Sequence, residues 1–226
     1  MRLVLLPGLN GSCTLFEPLL AHLPPAMEVQ ALTLPAQGNQ DPANLANRLL
    51  SALGNTPYVL LGESFSGPLT YQLALRQPSG LRGVIFVASF LSRPHPLLQL
   101  IPYLPLPTCL LRQHILLRLF CLNGQASVDV IQTVREEIKK LPQRLLRARL
   151  LSLDQLQEPL LQLQLPALHL VANRDRLVTR KAQVSLNKYC TQLTQIGVDG
   201  PHFLLQTRPQ ACAMAIQQFI SALATE

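Results

Sequence analysis

The stretch Gly62-Glu63-Ser64-Phe65-Ser66-Gly67 places a serine between glycines, directly after the apolar run YVLL at residues 58–61 and before PLTYQLALRQ. A serine hydroxyl is a poor nucleophile until a neighbouring base takes its proton. Of the five histidines, His202 is the one set for that work, in VDGPHFLL, on a Gly-Pro turn directly after the last expected strand. His169 lies within an apolar strand and reads as a core residue, His22 belongs to an early surface helix, and His95 and His114 fall in a Leu-rich insertion. The imidazole in turn needs a carboxylate to hold its tautomer and stabilise the imidazolium. Asp175, in LVANRDRLV, follows the next-to-last strand, and its bland alternative is an aspartate capping a helix. Asp199 is a rival close to His202 in sequence, but a side chain so near along a turn is badly placed to reach the far ring nitrogen. Glu63 is expected to point away from the nucleophile as support.

Acyl transfer also needs donors for a developing oxyanion, and backbone amides already aimed at that charge serve best. The Phe65 amide, just past the serine, is one candidate. The first strand runs into PGLNGS, whose turn offers the Leu9 amide as the other, with Asn10 beside it. No Gly-x-Gly-x-x-Gly is present there, so a dinucleotide site is not indicated.

These residues must be held by an alternation of elements. Short apolar runs bounded by Gly, Pro or Asn recur at residues 2–6, 28–34, 58–62, 83–88, 167–172 and 193–198, and read as strands buried on both faces. Helical stretches fall between them, at 14–23, 41–53, 65–77, 179–189 and 208–223, which implies an α/β parallel sheet with helices on both sides. One connection is too long for a simple crossover. Residues 91–163 are Leu-rich, helical in pattern and punctuated by proline, and are expected to form a helical cap over the strands' C-terminal edge, where open α/β sheets bind ligands. The core is then residues 1–90 and 164–226.

With 48% hydrophobic and 14% charged residues among 226, the chain is expected to fold rather than remain disordered. Cys13, Cys109, Cys121, Cys190 and Cys212 are odd in number and lack metal-type spacing, which suits reduced, mostly buried thiols in a cytoplasmic protein. No export signal or transmembrane segment is expected. The absence of Trp, with four Tyr not interleaved with basic residues, disfavours nucleic-acid binding.

The net charge is +7. Part of it gathers in the insertion as Arg112, Arg118, Arg135, Lys139, Lys140, Arg144, Arg147 and Arg149. A solvated helix surface accounts for such a set, and docking of an acidic carrier protein is the sharper alternative.

The serine after a central strand, the aspartate after the penultimate strand and the histidine after the last make the chain resemble the α/β-hydrolase family over nearly its whole length. The resemblance implies an α/β-hydrolase fold of about six strands. It also implies Ser64 as nucleophile, His202 as base, Asp175 as orienting acid, Leu9 and Phe65 as oxyanion donors, and no metal or organic cofactor. Serine at the elbow implies a carboxylesterase-type hydrolase. The layout is similar to the small capped carboxylesterases that act on the methyl ester of pimeloyl–acyl carrier protein in biotin synthesis, which would make acyl carrier protein a partner. A non-catalytic binding protein on the same fold, and a lipase or thioesterase meeting a lipid surface through LLRQHILLRLF, stay open as alternatives. The chain departs from the family in having Pro7-Gly8 where His-Gly is usual, in ending the Gly-x-Ser-x-Gly signature on Ser66, and in lacking two leading edge strands.

Overall fold

The computed structural model describes residues 1–100 and 128–224. Six strands form one sheet in the order β2-β1-β3-β4-β5-β6, every neighbouring pair parallel: β1 (Arg2–Leu6), β2 (Val29–Ala31), β3 (Tyr58–Glu63), β4 (Leu81–Val87), β5 (Leu163–Ala172) and β6 (Cys190–Val198). This is the α/β-hydrolase arrangement that the sequence implies. Strand side chains alternate between faces, so the continuous apolar runs supply two cores at once. Leu3 and Leu5 of β1, Val59 and Leu61 of β3, and Ile85 and Val87 of β4 meet Leu19, Cys212 and Ile216 on one side. Val4, Leu6, Leu60, Val84 and Phe86 meet Leu45, Leu49, Leu69 and Leu186 on the other.

The helices on the first face are α1 (Glu17–Leu20), preceded by a 3₁₀ turn at Thr14–Phe16, and α9 (Pro209–Ala224). On the second lie α2 (Pro42–Leu53), α3 (Ser66–Leu75) and the short pair α6 (Arg180–Gln183) and α7 (Ser185–Tyr189). Asp41 starts α2 by accepting from the Ala43 and Asn44 amides at 2.9 and 3.2 Å. Pro42 follows at the one helical position where a missing N–H costs nothing; such a cap contributes about 1 kcal/mol.

Two expectations need correction. The second strand is three residues long rather than 28–34, and β6 is largely exposed along residues 191–197. Both lie at sheet edges, where one flank has no neighbour. The polar side chains of Thr191, Gln192, Thr194 and Gln195 are therefore tolerated, and they hid the true start of β6. Cys190 and Cys212 are buried thiols and Cys13 is half-buried, all three free, whereas Cys109 and Cys121 fall outside the described residues.

Between β4 and β5 come a 3₁₀ turn at Pro96–Leu100 and two helices, α4 (Val128–Lys140) and α5 (Gln143–Asp154). Ile131, Val134 and Glu137 are the buried stripe of α4, and Leu145, Leu146, Arg149 and Leu153 that of α5. Among the described residues no helix is long and apolar enough to cross a membrane. A short helix, α8 (Leu204–Thr207), follows β6.

Candidate active site

The strand order reverses between β1 and β3, with β2 to one side and β4 to the other. At such a switch point the connections leave in opposite directions and open a crevice at the strands' C-terminal ends. The turn after β1 and the turn after β3 both face this crevice.

Ser64 is the first residue past β3 and adopts φ 49°. A non-glycine residue held there costs about 1–3 kcal/mol and persists only where its surroundings fix it. They do. The Ser64 amide donates to the Val87 carbonyl at 2.9 Å, its carbonyl accepts from Ser89 Oγ at 2.8 Å and from the Gly67 amide at 2.9 Å. A Cβ at Gly62 would lie 2.6 Å from the Ser66 carbonyl, and one at Gly67 would overlap Ser89. These two glycines let α3 begin against β3 and β4. Ser66, fully buried, sits where the signature ends in glycine, and its hydroxyl donates to the Pro7 carbonyl at 2.5 Å. The departure from the signature thus ties the elbow to the turn after β1.

His202 lies between β6 and α8. Its Nε2 is 2.8 Å from Ser64 Oγ, and its Nδ1 is 2.7 Å from Asp175 Oδ2. Asp175 is on the loop between β5 and α6, where its Oδ1 accepts from the Leu177 and Val178 amides at 2.8 and 2.9 Å. One aspartate oxygen thus shapes a turn and the other holds the imidazole, while the cap of α6 is Thr179, whose hydroxyl accepts from the Ala182 amide. The rival Asp199 is mostly exposed and forms a two-point pair with Arg174, both contacts 2.6 Å. Burial opposes protonation of His202, but the charge and hydrogen bond of Asp175, joined by the charge of Glu63, outweigh it and raise the imidazole above its ordinary value.

Glu63 does not point away. It lines the crevice, accepts from Gln206 Nε2 at 3.0 Å, and is hydrogen-bonded by the Gly8 backbone. Burial pushes its carboxyl up, against those two hydrogen bonds and the charge of His202. Sequence reasoning missed this because Gln206 and Gly8 approach only through the tertiary fold.

Leu9, Ser64 and Phe65 all line a cavity of about 380 Å³. Its floor is Ser64 and His202; its walls are mostly apolar, among them Phe90, Leu98, Val178 and Phe203 from the core and Val134, Ile138, Leu146, Leu150 and Leu153 from α4 and α5, with Asn10, His95 and Arg176 as polar members. Among the described residues, no group of three or more His, Cys, Asp or Glu is placed to hold a metal ion.

The other described histidines make no hydrogen bond to Ser64 or Asp175. His95 lines the cavity, His22 bonds the Pro18 carbonyl on the surface, and His169 is buried in β5 with its titration pushed down to about 4 by burial. His114, Arg112 and Arg118 lie outside the described residues.

Of the expected docking residues, Arg149 is overturned. Its side chain is wholly buried, with hydrogen bonds to Leu9, Pro35 and Gln40, so it presents nothing to a partner. Lys139 and Lys140 are exposed and paired with Glu136 and Glu137 one turn back, Arg144 is exposed, and Arg135 and Arg147 are half-buried.

Residues 36–195 match the hydrolase family described as serine aminopeptidase, S33. The chain belongs to that family. No curated protein matches the chain. Three solved structures of like fold are distant in sequence. A malate-bound thermophilic esterase from Thermogutta terrifontis is 18% identical, with 99% of this chain and 90% of that one covered at a TM-score of 0.83. The enol-lactonase from Burkholderia xenovorans LB400 is 16% identical, with 97% and 91% covered at 0.77. The type II thioesterase BorB from the borrelidin biosynthetic cluster is 22% identical, with 96% and 91% covered at 0.72. At these identities the likeness is one of fold, and this S33 member's chemistry rests on its own residues.

Proposed function

We propose that this S33 family member is a serine hydrolase of esters with an apolar acyl chain. The observation that carries the reading is Ser64 Oγ, on a backbone-fixed elbow, 2.8 Å from an imidazole nitrogen at the floor of an apolar cavity. Ser64 Oγ attacks the ester carbonyl while His202 Nε2 takes its proton. Asp175 holds the Nδ1–H tautomer and stabilises the imidazolium. The oxyanion rests on the Leu9 and Phe65 amides. His202 then protonates the leaving alcohol, and water repeats the sequence on the acyl-enzyme. No cofactor enters these steps. Residues 91–163 act in this scheme as a cap, with α4 and α5 roofing the acyl chain.

An aminopeptidase must grip a free ammonium. The sole acidic side chain among the described lining residues is Glu63, which is already engaged by Gly8 and Gln206. Apolar walls suit a neutral acyl group instead. Proteins of like fold carry the names esterase, thioesterase and enol-lactonase, all denoting cleavage at an acyl carbon. The methyl ester of a carrier-bound pimeloyl chain is one member of this class. With Arg149 buried, its docking would fall to Arg144 and the other basic side chains of the insertion.

The test is a p-nitrophenyl ester series from acetate to dodecanoate. Hydrolysis is expected, with kcat/KM rising from acetate to a longer acyl chain and an aminoacyl p-nitroanilide left intact. Cleavage of the anilide in preference to every ester would overturn the reading, and tight ester binding without turnover would favour the non-catalytic alternative.

The titration of His202 also gives a sign. The base must be neutral to accept the serine proton, so activity is lost as pH falls through its titration. Because Asp175 and Glu63 raise that titration, the acid limb of kcat/KM is expected above the ordinary ~6.5. A limb lying below that value would remove His202 as the base.

A further inference from the structure

The turn at residues 8–12 carries the Leu9 amide, and it is held from the insertion as well as from the sheet, where the Gly8 backbone meets Glu63. Arg149 reaches down from α5. Its Nη1 donates to the Leu9 carbonyl at 2.7 Å, its Nε to Gln40 Oε1 at 3.0 Å and its Nη2 to the Pro35 carbonyl at 3.4 Å. The same guanidinium lies 5.7 Å over the ring of Phe65. One side chain therefore contacts both residues assigned above as oxyanion donors. Gly11, at φ +75°, leaves room for it, since any Cβ there would collide with the guanidinium. From α4, buried Glu137 accepts from Ser12 Oγ, which in turn accepts from Asn10 Nδ2 at 2.9 Å.

A mere tie between insertion and core does not call for this residue type. Arg149 is completely buried and, among the described residues, makes no ion pair. A buried charge without a counterion is costly, even with three hydrogen bonds to neutral acceptors. A fixed positive charge beside a point where negative charge develops has a different use. It is preorganised, so it strengthens as the oxyanion forms and needs no rearrangement.

We infer that Arg149 is a positioning residue for the oxyanion hole, holding Leu9 and Phe65 in place and setting a positive charge behind them, so that the insertion completes the catalytic apparatus as well as roofing it. The inference rests on the ester-hydrolase reading above. Its test compares Arg149→Met and Arg149→Lys with the unaltered protein. Reactive sites are counted by fluorophosphonate labelling, kcat and KM are measured per labelled site, and affinity is measured for an alkylboronic acid whose tetrahedral adduct mimics the oxyanion.

Arg149→Met is expected to lower kcat by roughly 30–100-fold, with KM within about 3-fold and boronate affinity falling in step with kcat. Lysine keeps the charge but loses the fork, and is expected to recover part of the loss. Unchanged kcat per labelled site, a KM change as large as that in kcat, or unaltered boronate affinity would each overturn the inference. Should circular dichroism show the methionine variant unfolded, the lysine variant decides by the same split. An unaltered protein that neither takes the label nor turns over any ester overturns the hydrolase reading, and this inference with it. A labelled, active protein with an equally active methionine variant overturns this inference alone.

Discussion

Replacing Ser64 with alanine is expected to lower ester hydrolysis by roughly 10⁴–10⁶-fold while leaving the fold intact, because the nucleophile's partners act as a unit and none can substitute for it. The backbone contacts that fix the elbow run through the Ser64 amide and carbonyl, to Val87, Ser89 and Gly67, and involve no atom of the hydroxyl. Alanine keeps all of them. It also keeps the positive φ at that position, with a side chain slightly smaller than serine's. Thermal unfolding of Ser64→Ala should therefore match the parent closely, and substrate should still enter the apolar cavity. Loss of turnover with a retained binding signal separates a catalytic serine from a packing one. A variant hydrolysing at a tenth of the parental rate or more would mean that the attack comes from elsewhere, with Ser64 only a turn residue.

What was legible in the sequence follows from how local each signal is. The elbow shows in a few consecutive residues because its constraints are local: β3 must end, α3 must begin, and Gly62 and Gly67 must let them touch. The loops bearing Asp175 and His202 are marked in the same way, by apolar runs that stop at Asn173 and at Gly200-Pro201. That these loops bring the two side chains into contact with Ser64 depends on strand order, which the alternation of elements does not give. The edge strands were misjudged because exposure at a sheet edge permits polar residues that mimic loop. Arg149 and Glu63 were read wrongly for a deeper reason. A charged residue in an amphipathic helix is ordinarily solvated, and one beside a reactive serine has no local sign of its direction. Their partners, Leu9 and Gln40 for one, Gly8 and Gln206 for the other, lie between 55 and 143 residues away in sequence or on other elements. Only the packing of α5 and α8 onto the turn after β1 brings them together.

Asp175→Asn carries the other large effect, an expected loss of about 10⁴-fold in kcat/KM. Asparagine is nearly isosteric with aspartate, and its Oδ1 can still accept from the Leu177 and Val178 amides. The turn is thus preserved. What changes is the atom facing His202 Nδ1: an acceptor becomes an amide N–H₂ donor. The imidazole then turns its unprotonated nitrogen to the amide and carries its proton on Nε2, 2.8 Å from Ser64 Oγ, where it has no lone pair left to take the serine proton. Removing the carboxylate also removes the main influence raising the histidine's titration, so the acid limb of the residual activity should move to lower pH. Glu63 is too committed to Gly8 and Gln206 to take over as orienting acid. Both changes are read in one set of pH–rate profiles of parent and variant. A loss of about ten-fold or less, with the acid limb unmoved, would reduce Asp175 to the residue that shapes its own turn.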